Sequence, residues 1–164
     1  MRPLMVVILA MLVGCQAGGN DDPSPVDLPP EDQADAYLVV IGAGADGGGP
    51  LWISEQVCTD VGSSPTESGE GECAAMEPDV RAALAERLPE AQFTDDLTGV
   101  QDDIFKGGGG VIWRLGPVEG SGDRVTISAS YYCGGLCAGG GTHVVERIDG
   151  SWEETGMEGP VWMS

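Results

Sequence analysis

The sequence predicts an α+β domain: one main helix packed on a mostly antiparallel C-terminal sheet, stapled by disulfides. Three observations carry this reading. Residues 79–88 are the one stretch that joins a helix-start signal to a helical apolar spacing. The last third of the chain is a series of β-branched, partly alternating runs separated by turn residues. Four of the five cysteines lie beyond residue 15, an even number that suits disulfide pairing if the chain is exported.

The elements follow in order. Residues 37–41 (YLVVI) form a short apolar run that suits a buried strand or the start of a helix. Residues 42–50 are a glycine loop, and residues 51–57 (LWISEQV) alternate in part and predict a strand that ends at Cys58. Residues 59–72 are polar and rich in Gly and Ser, an exposed loop. The helix starts at Pro78, with Glu77 and Asp79 at its positive dipole end, and Pro89 stops it. Residues 92–94 predict a short strand, residues 97–106 an irregular stretch, and residues 107–110 a four-glycine loop. Strands are then expected over 111–115, 124–133 and 142–148. The middle one places Val125, Ile127, Ala129 and Tyr131 on one face and Thr126, Ser128, Ser130 and Tyr132 on the other. Asp149-Gly150 is a tight-turn pair after which the chain doubles back.

The N-terminus assigns an address. Arg2 precedes an uncharged apolar run over residues 4–13, which as a helix spans about 15 Å, half a bilayer's hydrocarbon. That length suits a signal peptide rather than a lasting membrane span. Leu12, Val13, Gly14 and Cys15 read LVGC, which resembles the lipobox of bacterial lipoprotein precursors. The resemblance covers residues 1–15. It implies cleavage of the Gly14–Cys15 bond and diacylglyceryl attachment to the Cys15 thiol. Two or three acyl chains anchor stably where one does not. Gln16 after the cysteine, in place of an aspartate, points to the outer membrane in a two-membrane cell, and otherwise to the cell envelope in general.

The domain organisation is then a signal peptide over 1–14, an acidic tether over 15–36 and one globular domain over 37–164. The tether holds four prolines, two glycines and six acids between Gln16 and Ala36, without a helix or strand period. Loss of Arg2 leaves six basic residues against 27 acidic ones, a net charge of −21. Such a surface repels nucleic acid and anionic lipid headgroups.

Beyond Cys15 remain Cys58, Cys73, Cys133 and Cys137, which allow three pairings. The expected pairs are Cys58–Cys73, closing the Gly/Ser loop, and Cys133–Cys137, where Gly134 and Gly135 let the chain bend. The competing reading takes Cys133, Cys137 and His143 as a copper or zinc site, or the two thiols as a redox pair. The CxxxC spacing resembles the copper site of thioredoxin-fold copper chaperones, which also use a distant histidine. No βαβ pattern surrounds it here and no proline follows Cys137.

Other patterns carry less. Residues 42–47 (GAGADG) and 106–110 (KGGGG) have phosphate-loop glycines but lead to strands, not helices. Asp95-Asp96 and Asp102-Asp103 lack calcium-loop spacing. His143 is the sole histidine and no G-x-S-x-G occurs, so serine hydrolase chemistry lacks its parts. Trp52, Trp113, Trp152 and Trp162 suit packing, or a sugar or peptide platform if gathered at the surface. Residues 125–152 resemble the closing hairpins of small exported bacterial domains, a likeness that implies no activity. The residues together point to a membrane-anchored, non-enzymatic module of the cell envelope, one that binds a protein or small-ligand partner or serves as a structural accessory, and that requires no cofactor. The alternatives are the metal or redox protein just described and a hydrolase using a carboxylate pair.

Overall fold

The computed structural model describes residues 28–43, 48–61 and 71–164. Cys15, the expected signal peptide, most of the expected tether and the GAGADG stretch beyond Ala43 lie outside the described residues. The rest forms an α+β domain with a mostly antiparallel sheet. The helices are α1 (Pro30–Ala43), α2 (Pro78–Arg87) and α3 (Leu97–Asp103), the last running into a π-helical turn (Ile104–Gly108). The strands are β1 (Leu51–Cys58), β2 (Cys73–Ala75), β3 (Ala91–Thr94), β4 (Val111–Ser121), β5 (Arg124–Gly134), β6 (Cys137–Ile148) and β7 (Ser151–Met163). They lie in the order β2-β1-β4-β5-β6-β7, with β3 beside the first half of β1. The β1–β3 and β1–β4 pairs are parallel, and the other pairs antiparallel.

One helix differs from the sequence reading at its root. Residues 30–36, read as tether, are the first two turns of α1, and the apolar run 37–41 is its second half. Pro30 sits in the first turn, where its missing N–H costs nothing, and Glu31 and Asp32 favour the positive end. Ala34, Ala36, Tyr37, Val40 and Ile41 are buried. Three of the six acids that suggest a repelling tether, Glu31, Asp32 and Asp35, therefore belong to a helix.

A second correction concerns residues 97–106. Asp96 caps α3 by accepting a hydrogen bond from the Gly99 amide at 2.9 Å, which gives helix to a stretch read as irregular. Its continuation buries Ile104 and breaks from helical geometry at Gly107, whose φ of 96° a side chain would resist. Residues 73–75, to which the sequence assigns no element, form β2 and pair with the end of β1.

The sheet has a core on each face. Val111, Trp113, Leu115, Val125, Ile127, Ala129 and Val145 join Tyr37 and Val40 of α1 and Val80 and Leu84 of α2 in the main core. Ile112, Tyr132 and Ala138 face the other way and pack with Ile104 and, in part, Trp52 and Trp162. The predicted alternation of β5 thus holds, but its second face is buried at one end: Ser130 and Tyr132 are covered as well. The β6–β7 turn at Asp149-Gly150 has φ of 52° and 88°, the left-handed pair that a two-residue hairpin needs. No described helix is long and apolar enough to cross a membrane.

Candidate functional site

Two irregularities of the sheet build the site. The first is the bulge in β4 between Leu115 and Val118, where Gly116-Pro117 breaks the ladder with β5. It leaves the Gly116 carbonyl free to accept a hydrogen bond from the Tyr37 hydroxyl at 2.9 Å, which ties α1 to the sheet. Burial first, and the Glu77 carboxylate second, push that hydroxyl above its ordinary value, so it stays a donor.

The second is the short edge strand β2. Thr59 N–H donates to Glu72 O at 3.0 Å and Met76 N–H to Glu55 O at 2.8 Å. In an antiparallel ladder hydrogen-bonded pairs alternate, so Ala74 is the residue of β2 that bonds to Val57 of β1. The backbone groups of Cys73 and Ala75 therefore point outward, away from the sheet. All three residues of β2 are exposed.

Between this edge, α1, α2 and the β4 bulge opens a cleft of about 440 Å³. Tyr37, Val57, Met76, Val80, Pro117 and Val118 line its wall, and Glu72 and Glu77 stand among its polar residues. The size falls in the range of ligand clefts, roughly 300–1,000 Å³. A smaller cleft of about 310 Å³ also borders Ala75 and Met76, and there Arg81 pairs with Glu55 at 2.7 Å. Two hollows thus meet at a strand edge that no other described strand covers.

The disulfides join the expected partners, Cys58 to Cys73 and Cys133 to Cys137, with Cα separations of 4.1 and 5.2 Å. Their surroundings differ. Arg114 of β4, 5% exposed, donates from Nη2 to Cys58 Sγ at 3.1 Å and to Cys73 Sγ at 3.3 Å. Burial lowers the pKa of its guanidinium and the Asp60 carboxylate acts against that. Cys133 Sγ instead lies 3.2 Å from the carbonyl oxygen of Cys137.

The structure separates the residues of the metal reading. His143 pairs in register with Ile127, whereas Cys137 pairs with Gly134 at the far end of the same hairpin. Six residues of strand set them about 20 Å apart along β6. The partner of His143 is Glu154, with Nδ1 2.8 Å from Oε1. Among the described residues no group of three His, Cys, Asp or Glu side chains gathers as a metal site.

The remaining candidates take structural places. Asp96 caps α3, and Asp102 faces Lys106 at 3.6 Å across an exposed helical turn. Trp113 is in the main core and Trp152 lies buried under Arg147, so the four tryptophans do not gather into one surface platform. Gly110 has φ of 105°, and a Cβ there would strike the Trp52 ring and the Pro50 carbonyl. Gly110 thus serves close packing between β1 and β4.

The sequence reading missed the β2 edge and Arg114. Residues 73–75 (CAA) are too short and too bland to signal a strand. Arg114 sat in an expected strand, but nothing in VIWRL says which sulfurs it will meet. No protein family, curated protein or solved structure matches this chain.

Proposed function

We propose that this chain is an exported, lipid-anchored binding module whose ligand is an extended peptide segment laid along β2. The observation that carries the reading is the coincidence of a free strand edge with an apolar cleft. Outward N–H and C=O groups at Cys73 and Ala75 offer main-chain hydrogen bonds, and the cleft offers room for alternate side chains. Glu72 and Glu77 at the cleft, on a chain of net charge −20, favour a ligand with basic residues beside apolar ones. Two oxidised cysteine pairs support export, and LVGC ahead of Cys15 supports a lipid anchor on that residue.

Two experiments test the two halves. A displayed library of unstructured heptapeptides is selected on the oxidised protein, and the winners are measured against Ala75→Pro. Proline there removes an outward N–H and leaves the ladder bonds of β1 intact. Binding should weaken about tenfold or more, the worth of one buried hydrogen bond. Unchanged affinity would rule out the strand-edge mode. For the anchor, cells expressing the protein are fed a labelled fatty acid. Label should be present on the wild type and absent from Cys15→Ser, and label retained on Cys15→Ser contradicts the assignment.

A further inference from the structure

The sequence reading looked for redox chemistry at Cys133 and Cys137, but the geometry points elsewhere. We infer that the Cys58–Cys73 disulfide is an exchangeable bond that accepts electrons from a dithiol, with Arg114 as the positioning residue that stabilises its leaving thiolate.

Two independent observations converge. The first is the cation. Arg114 reaches both sulfurs through Nη2, at 3.1 Å to Cys58 and 3.3 Å to Cys73, from a buried position. A guanidinium beside sulfur favours the thiolate, and a stabilised thiolate leaves faster and makes the disulfide a better oxidant. Buried, the guanidinium is poorly screened by solvent and salt. The second is asymmetry of access. Cys58 is fully buried, whereas Cys73 is exposed on the free edge strand. Of the two cysteines, Cys73 is thus the one whose residue faces solvent and gives an incoming thiolate its approach.

The step follows from that asymmetry. A substrate thiolate forms a bond to Cys73 Sγ as the Cys58–Cys73 bond breaks. The electron pair stays on Cys58 Sγ, which becomes a thiolate 3.1 Å from the Arg114 Nη2 that holds it. The second thiol of the substrate, once deprotonated, attacks its own sulfur in the mixed disulfide and expels Cys73 as a thiolate. The dithiol has then lost two electrons and two protons and become a disulfide. Cys58 and Cys73 hold the electrons, and the protons are shared between the new thiols and water.

Cys133–Cys137 is the built-in control. Its Cys133 sulfur faces the oxygen of a carbonyl, the negative end of a dipole, which works against a thiolate. Asp60 is the local counter-charge at the other pair, since its carboxylate acts on Arg114. Removing that charge should strengthen the pull of Arg114 on the sulfurs.

The test uses the full oxidised protein in graded dithiothreitol, with quenching by alkylation and mass mapping of each cysteine. Cys58–Cys73 should be reduced about tenfold faster than Cys133–Cys137, and the reduced Cys58 thiol should titrate below the ordinary value of about 8.5. Arg114→Gln should raise that titration by about one unit and slow reduction about tenfold, and Arg114→Lys should restore most of the rate. Because Arg114 is buried, Asp60→Asn at an exposed position provides the second variant: the Cys58 thiol should titrate lower and reduction should speed up. Equal reduction of the two pairs in the wild type would overturn the inference. So would an Asp60→Asn variant whose Cys58 thiol titrates where the wild type's does.

Discussion

The two disulfides share a bond type and little else. Cys58–Cys73 joins the edge strand β2 to β1 across a separation of 15 residues, beside a buried cation. Cys133–Cys137 spans 4 residues inside one hairpin, where Gly134 and Gly135 already turn the chain with φ of 97° and 56°. The first reinforces a strand whose other tie is a short ladder to β1: β2 is three residues long, and all three are exposed. The second locks a turn that β5 and β6 would form through their own ladder. A cross-link matters most where the surrounding packing is weakest, and that place is also the edge where the cleft opens.

The comparison breaks first on stability. In the chain-entropy picture a 15-residue loop contributes about 3 kcal/mol and a four-residue one about 2 kcal/mol. Replacing Cys58 and Cys73 together by alanine should therefore cost about 3 kcal/mol in urea unfolding, and should also abolish peptide binding. The double replacement of Cys133 and Cys137 should cost about 2 kcal/mol and leave binding intact. Equal binding losses from both would remove the distinction between a site-forming and a turn-locking bridge.

A smaller effect sharpens the other wall of the cleft. Tyr37→Phe removes the bond to Gly116 O and leaves a buried carbonyl unpaired, which costs about 1–3 kcal/mol. The pH profile adds a sign. The folded-state value of the Tyr37 hydroxyl is raised, so its contribution is whole below the unfolded value of about 10 and is lost as pH climbs above it. The wild type should lose stability above pH of about 10, and Tyr37→Phe should lose less of it over the same range. Parallel alkaline profiles for the two proteins would contradict this.

How far the sequence could be read depended on which signals are local. Parts of β4, β5 and β6 are legible from their β-branched runs (111–115, 124–133 and 142–148), and Asp149-Gly150 marks the turn into β7, whose own residues carry no such pattern. The helix α2 was legible from Pro78 and the spacing of Val80 and Leu84. The cysteine pairing followed from loop length and turn glycines. What stayed hidden depends on tertiary contact. The first half of α1 has acids and a proline that read equally as a helix start or a tether, and only its packing against α2 and the sheet decides. Arg114 acquires its meaning from β1 and β2, which lie about 40 or more residues away in the chain and leave no mark on VIWRL. His143 and the CxxxC pair are close in sequence but set apart by the extended rise of a single strand, about 3.3 Å per residue.

The central claim is that β2 is the working edge of the molecule. Backbone amide exchange, read residue by residue on the oxidised protein with and without a selected heptapeptide, tests it most directly. In the free protein the Cys73 and Ala75 amides should exchange rapidly, and that of Ala74, bonded to β1, more slowly. Saturating peptide should slow Cys73 and Ala75 by about tenfold or more, the fold-change equal to about 1.4 kcal/mol of added protection. Peptide that binds while the Cys73 and Ala75 amides keep their free rates would contradict the account.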